Sequence, residues 1–447
     1  MTHIVIDLEK SKDAIAMSRE NIIHQKELND AEDWINLGAK MATIENNFEA
    51  QNTITILGTR GSGKTTFIKS VLELYSRNRD FTVLKLIDPT LIEEKGHIFL
   101  NVISAINELG LKKIDEIERN GADYFNIRDK WDEILNLLAD GLPSVDGIGG
   151  GLAEADWQDP EYIMQKGLRS VTAARNLKKH FQAYVNFALE NIFRTKVILI
   201  AFDDIDIDFK KGWPLLEMIR KYFSFPQIIT LLSGDLNLFS LAIRKQQWRN
   251  FGKPLLINEV ELLKKKQYFN DRVTEIEGQY LLKVLKPERR IHLSNLYEIT
   301  KRVNRYNSTY NNIIDKNNEI RKGINVKFKD KSREILNTYK VLFGRFGINN
   351  NYQLEVYSTF LLGLPIRTQI QFLNEYFGNE KQLEEMNLID PFLSDLIEKG
   401  IDTNLLESTP KLINVEILKF LLKEQELGDL YQLQPSTVDM SLNGSLL

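Results

Sequence analysis

The stretch Thr53–Thr66, TITILGTRGSGKTT, constrains the fold more than any other part of the chain. Its β-branched and apolar start, Thr53 to Leu57, fits a buried strand. Gly58, Thr59, Arg60, Gly61, Ser62 and Gly63 then form a glycine-rich turn. After Lys64, Thr65 and Thr66, the apolar residues Phe67, Ile68, Val71 and Leu72 recur at helical spacing. Strand, loop and helix in that order are the context in which G-x-x-x-x-G-K-[ST] cradles phosphate. Glycines let successive backbone N–H groups converge on the phosphate oxygens in conformations that a Cβ forbids. The positive end of the following helix adds to that field. Lys64 is placed to reach the β- and γ-phosphates, and the Thr65 hydroxyl to ligate Mg²⁺.

Further apolar runs follow at intervals that alternate with helical patterns. Phe81–Ile87 reads as a second strand, ended by Asp88-Pro89. Val197–Phe202 is an unbroken apolar run, as expected of a strand buried on both faces of a parallel sheet. Asp203 and Asp204 stand at its carboxyl end, where open α/β sheets bind ligands. An acid there holds Mg²⁺ and a neighbouring one orients an attacking water; Asp203 is assigned to the metal and Asp204 to the water. The alternative is a solvated acidic turn. Ile228–Leu232 is another buried strand, with Ser233 and Asp235 at its end as candidates to read a γ-phosphate or to cap the next helix. Ile291–Leu293, preceded by Arg289 and Arg290, makes a short fifth strand.

The fold class that follows is α/β: a P-loop NTPase core with a parallel five-stranded sheet, followed by an all-helical C-terminal domain. The expected organisation is an N-terminal helical segment (1–50), the core (51–297) with an insertion at 89–195, a helical lid or C-terminal domain (298–435) and a flexible tail (436–447). Within the insertion, Gly141–Pro160 reads as a flexible loop or lid. A second phosphate loop is the alternative, but no strand precedes it and no basic residue follows its glycines.

At 447 residues the chain calls for two or three domains. It has no cysteine, which excludes disulfides, thiolate nucleophiles and Cys-based metal sites. The five histidines, His3, His24, His97, His180 and His292, form no H-x-x-x-H pair. A net charge of −4 gives no global preference for nucleic acid or an anionic membrane. No apolar run approaches the roughly 20 residues that span a bilayer, and the first residues do not read as a secretory signal, so a cytoplasmic protein is expected. Lysines and arginines between Arg321 and Arg333 read as a solvated linker; nucleic-acid contact is the alternative.

The loop Gly58–Thr65, the strand Val197–Asp204 and the strand Ile228–Ser233 together resemble the STAND, KAP and AAA+ branch of P-loop ATPases. There the sensor strand lies between the two Walker strands. QYLLKVLKPERRIHL (279–293) is similar to a recurring segment of bacterial KAP- and STAND-like proteins. AFDDIDIDFKKGW, LLSGDLNLFS, RKQQWRNFGK and the Gly141–Pro160 loop resemble the ATPase subunits of RADAR-type anti-phage defence systems.

The resemblance spans residues 50–300. It implies ATP and Mg²⁺ as ligands, a ring-like homo-oligomer (a hexamer or heptamer), and an effector partner such as an adenosine deaminase. It also implies an arginine donated across the subunit interface to steady the transferring phosphoryl group, with Arg290 and Arg289 first and Arg244 and Arg249 second. Arg367, at the head of a helix after Leu364-Pro365-Ile366, resembles a sensor-2 arginine that touches nucleotide. Two alternatives stay open beside the defence ATPase: a nucleotide-gated scaffold that hydrolyses slowly, and a motor-like ATPase acting on nucleic acid or protein outside defence. A small-molecule kinase fits less well, because a long insertion separates the two Walker segments.

Overall fold

The computed structural model describes residues 4–9, 15–42, 50–92, 97–119, 125–139, 141–142, 160–205, 209–251, 266–302, 324–329, 331–339, 360–378, 394–395 and 397–398. The glycine-rich segment 143–159, the Asn- and Lys-rich segment 303–323 and the tail lie outside them. The chain divides into two compact units, one comprising Lys26–Gly58 and Phe67–His292, the other Met1–Gln25, Thr59–Thr66 and Leu293–Leu447. Among the described residues no helix is long and apolar enough to cross a membrane.

The first unit is built on a parallel sheet. Its strands are β2 (Thr53–Leu57), β3 (Phe81–Val83), β4 (Val197–Phe202), β5 (Ile228–Gly234) and β6 (Arg290–His292), in the order β3-β4-β5-β2-β6. All four pairings are parallel, with Leu57 opposite Gly234 and Phe202 opposite Leu232. The expected five-stranded α/β core is therefore present, with β5 lying between β2 and β4. Every residue of β2, β4 and β5 is buried. That explains why β4 reads as a continuous apolar run rather than an alternating one.

Helices α1 (Gln25–Ala42), α3 (Ile98–Arg119), α4 (Phe125–Ala139), α5 (Pro160–Phe187), α6 (Phe209–Tyr222), α7 (Leu236–Asn250) and α8 (Lys266–Val284) supply the remaining layers. Helix α1 approaches β5 closely at Gly38, where a Cβ would sit 2.8 Å from Ile229 Cδ1. An aromatic cluster of Phe99, Phe181, Phe202 and Phe223 joins α3, α5 and β4. Burial of each such ring contributes about 1.5–3 kcal/mol, enough to hold the end of β4 in place. A π-helical turn, Ala188–Phe193, ends at Arg194 with φ 55° and redirects the chain into β4.

The second unit holds a sheet that the sequence did not suggest. Ahead of α1, β1 (Ile4–Asp7) pairs in parallel with β7 (Ile324–Phe328). The C-terminal part is not all-helical, since β7 pairs antiparallel with β8 (Lys331–Glu334), where the sequence suggested a linker. The physical signal is the period-2 alternation of Ile324, Val326 and Phe328, masked by the surrounding lysines and asparagines. Ile4, Ile6, Ile324 and Val326 bury one face of this sheet in a core shared with Phe372 and Leu373 of helix α9 (Ile366–Gly378). Each strand is short, and the half-buried register fixes which side faces the core.

Candidate functional site

Gly58 leaves β2, and α2 (Lys64–Ser76) begins at the motif lysine, so the expected strand, loop and helix are all formed. Within the loop, Gly61 and Gly63 adopt φ +79° and +92°. Only glycine takes these values without strain, which is why the pattern needs glycine there. Thr59 O accepts from Ser62 N at 3.1 Å and from Lys64 Nζ at 3.3 Å. Lys64 is buried to 8% exposure, whereas Thr65 and Thr66 are half-buried and Thr59 and Arg60 are exposed. The Ser62 hydroxyl is buried and has no hydrogen-bond partner among the described residues. An unmet hydroxyl in a loop rich in backbone N–H groups suits a ligand made of hydrogen-bond acceptors.

Residues distant in sequence pack against this loop. Gly61 O accepts from Arg367 N at 3.0 Å, and a Cβ on Gly61 would lie 3.0 Å from Pro365 Cβ. Arg367 thus stands beside the loop through its backbone N–H and its Cβ, which lies 3.4 Å from the Cβ position of Gly61. His24 Cε1 is 3.9 Å from the Cβ position of Gly63, and its Nε2 donates to Ser294 O at 3.0 Å. Neither Pro365 nor His24 belongs to a pattern a single sequence exposes, since both reach the loop only through tertiary packing.

The acids lie at the ends of β4 and β5. Asp203 is 3% exposed, and its backbone N donates to Ile87 O at 3.0 Å. Its Oδ1 accepts the Ser233 hydroxyl, and no hydrogen bond reaches Oδ2 among the described residues. Asp204 turns into the left-handed region at φ 51°, and its N donates to Ser233 Oγ at 3.2 Å. Asp203, Asp204 and Ser233 are thus brought together. Asp235 serves as a helix cap, accepting from Asn237 N at 2.7 Å at the head of α7.

The hard oxygens of Thr65 and Asp203 are of the kind Mg²⁺ takes. Among the described residues no group of three or more His, Asp or Glu side chains could hold a metal by itself.

The arginines expected to reach a neighbouring subunit make contacts within the chain. Arg289 is 7% exposed, donates to Gln51 O at 2.9 Å and Asn52 Oδ1 at 2.8 Å, and lies over Trp34 with 5.3 Å to the ring centroid. Asn52 precedes β2, so this guanidinium sits by the amino end of the strand whose carboxyl end carries the loop. Arg290 donates twice to Leu285 O, at 2.9 and 2.7 Å, and ties α8 to β6. Burial lowers both pKa values from the ordinary arginine range. Within the chain both side chains are engaged in hydrogen bonds that brace β6. Arg244 pairs with Glu277 at 2.9 Å. Arg249 is exposed, near the end of α7.

No protein-family model matches the chain, and no curated protein does. Among solved structures, the Walker-type ATPase PABY2304 of Pyrococcus abyssi is similar at TM-score 0.32 and 14% identity, over 90% of this chain and 80% of that one. The α/β P-loop core described above stands on this chain's own strand order and loop conformation.

Proposed function

We propose that the chain is a Mg²⁺-dependent ATPase. The observation that carries this reading is the common exit of three elements from one parallel sheet. The phosphate loop follows β2, the acids follow β4, and Ser233 is the penultimate residue of β5, which lies between them in the sheet, all at carboxyl ends. Backbone N–H groups at Gly61 to Lys64 and the Lys64 ammonium bind and orient the phosphates. Thr65 and Asp203 would hold Mg²⁺, which would supply charge neutralisation for the phosphates. Asp204 orients the attacking water and accepts its proton. Arg367, beside Gly61, approaches the nucleotide from the chain's C-terminal region.

The variant Asp204→Asn tests the assignment. It is expected to bind Mg·ATP about as tightly as the wild type while releasing phosphate at least about 100-fold more slowly. Unchanged phosphate release in that variant would remove Asp204 from the chemistry. A wild type that binds Mg·ATP tightly with almost no turnover would favour a nucleotide-gated scaffold.

The finer reading is a ring-like homo-oligomer in anti-phage defence that uses nucleotide state to recruit an effector such as an adenosine deaminase. It is supported by the sequence resemblance at Ala201–Trp213 and Leu231–Ser240. With Arg289 and Arg290 braced internally and Arg244 paired, Arg249 is the arginine most available to a neighbouring subunit. ATP-dependent growth of the particle in light scattering tests the assembly; a particle that stays at one chain with Mg·ATP contradicts it.

A further inference from the structure

A serine hydroxyl has one hydrogen to donate and two lone pairs to accept with. At Ser233 the hydrogen goes to Asp203 Oδ1, and one lone pair receives Asp204 N–H. The side chain is fully buried, at 0% exposure. An ionised γ-phosphate oxygen carries no hydrogen and needs a donor. Ser233 has no second one, so reading the phosphate and holding Asp203 exclude each other.

The strand register gives the arrangement a further meaning. Pairing of β4 with β5 ends at Phe202 opposite Leu232. Asp204 N–H finds its partner in a side chain of β5 instead of its backbone, so the hydroxyl extends the contact between the strands past the last rung. Asp204 needs that support, because a left-handed φ of 51° costs an L-residue about 1–2 kcal/mol. The end of β5 is itself fixed. The Phe239 ring presses on Gly234 so closely that a Cβ there would fall 2.4 Å from Cζ.

We propose that Ser233 is a positioning residue that ties both acids to β5 and acts on hydrolysis through Asp203 and Asp204, without touching the phosphate. This rests on the ATPase reading above. It sets the orientation of the metal-binding carboxylate and the backbone turn of the water-orienting one with a single hydroxyl. Both roles survive in threonine, which keeps the hydroxyl, and both are lost in alanine.

Steady-state hydrolysis by the full chain, varied against ATP and separately against free Mg²⁺, tests this with Ser233→Ala and Ser233→Thr. Losing a hydrogen bond to a charged group predicts a fall in kcat of about 10- to 100-fold for Ser233→Ala. KM for ATP stays within about twofold, the Mg²⁺ requirement rises several-fold, and the ratio of ATP to ADP affinity at saturating Mg²⁺ does not move. Ser233→Thr keeps kcat within about fivefold. If the threonine methyl prevents folding, the kcat and Mg²⁺ responses of Ser233→Ala decide alone.

Two results overturn the proposal. One is an alanine variant with unchanged kcat and Mg²⁺ dependence. The other is an alanine variant whose ATP affinity falls about tenfold relative to ADP, as a phosphate reader requires. Should the wild type prove not to hydrolyse ATP, the ATPase reading fails separately. Mn²⁺ binding in the presence of ADP, followed by electron paramagnetic resonance, then still reports on Ser233. Several-fold weaker Mn²⁺ binding in Ser233→Ala sustains the positioning role, and equal binding removes it.

Discussion

At Gly61 the backbone requirement and the packing requirement coincide. Its φ of +79° is open to glycine, and Pro365 stands where a side chain would go. Gly61→Ala therefore strains the loop and pushes against Pro365, and Mg·ATP affinity measured by calorimetry should fall at least about tenfold. Affinity equal to the wild type would show that the loop does not grip phosphate in this conformation. Gly234 makes a different demand, because the ring beside it belongs to Phe239, which is 1% exposed and has little room to move. Gly234→Ala should destabilise the protein by about 1–3 kcal/mol through overpacking, read as a lower denaturant midpoint with an unchanged slope.

Among the elements, α6 and α8 are joined by one carboxylate. Glu217 accepts from Arg220 Nε and Nη2 at 2.8 and 2.7 Å and from Tyr280 Oη at 2.8 Å, with Lys221 at 3.2 Å. Burial alone would raise its pKa, but the hydrogen bonds from Arg220, Tyr280 and Lys221 outweigh it and hold the carboxyl at about 2. A carboxyl depressed in the folded state contributes stability that is complete above its unfolded pKa of about 4.3 and is lost as pH falls through about 2. Stability should decline over that window in the wild type and less steeply in Glu217→Gln, as denaturant titrations at pH 5 and pH 3 would show. At β6, Arg289→Ala leaves Gln51 O and Asn52 without their donor and should cost roughly 2–3 kcal/mol in thermal unfolding. Hydrolysis per folded molecule should hold, and lost hydrolysis at wild-type stability would restore an outward role for this residue.

The elements also show what was legible in the sequence. Strand β4 was readable because burial on both faces leaves an unbroken apolar run, β2 and β5 because β-branched and apolar residues dominate them, and the loop because glycine is demanded by its backbone. Strands β1 and β7 were not, since Ile4–Asp7 is short and its partner lies across nearly the whole chain, at Ile324. The acids were located by strand chemistry alone. The commitment of Ser233 and the bracing of Arg289 depend on where single hydrogen bonds go, which no spacing encodes.

Over the whole molecule, the central claim is that the chain hydrolyses ATP with Mg²⁺. Phosphate release by the full chain, with and without Mg²⁺ and beside Lys64→Ala, measures this most directly. The account predicts release that requires Mg²⁺ and falls at least about 100-fold when the Lys64 ammonium is removed. Release that persists in Lys64→Ala, or that is indifferent to Mg²⁺, would contradict it.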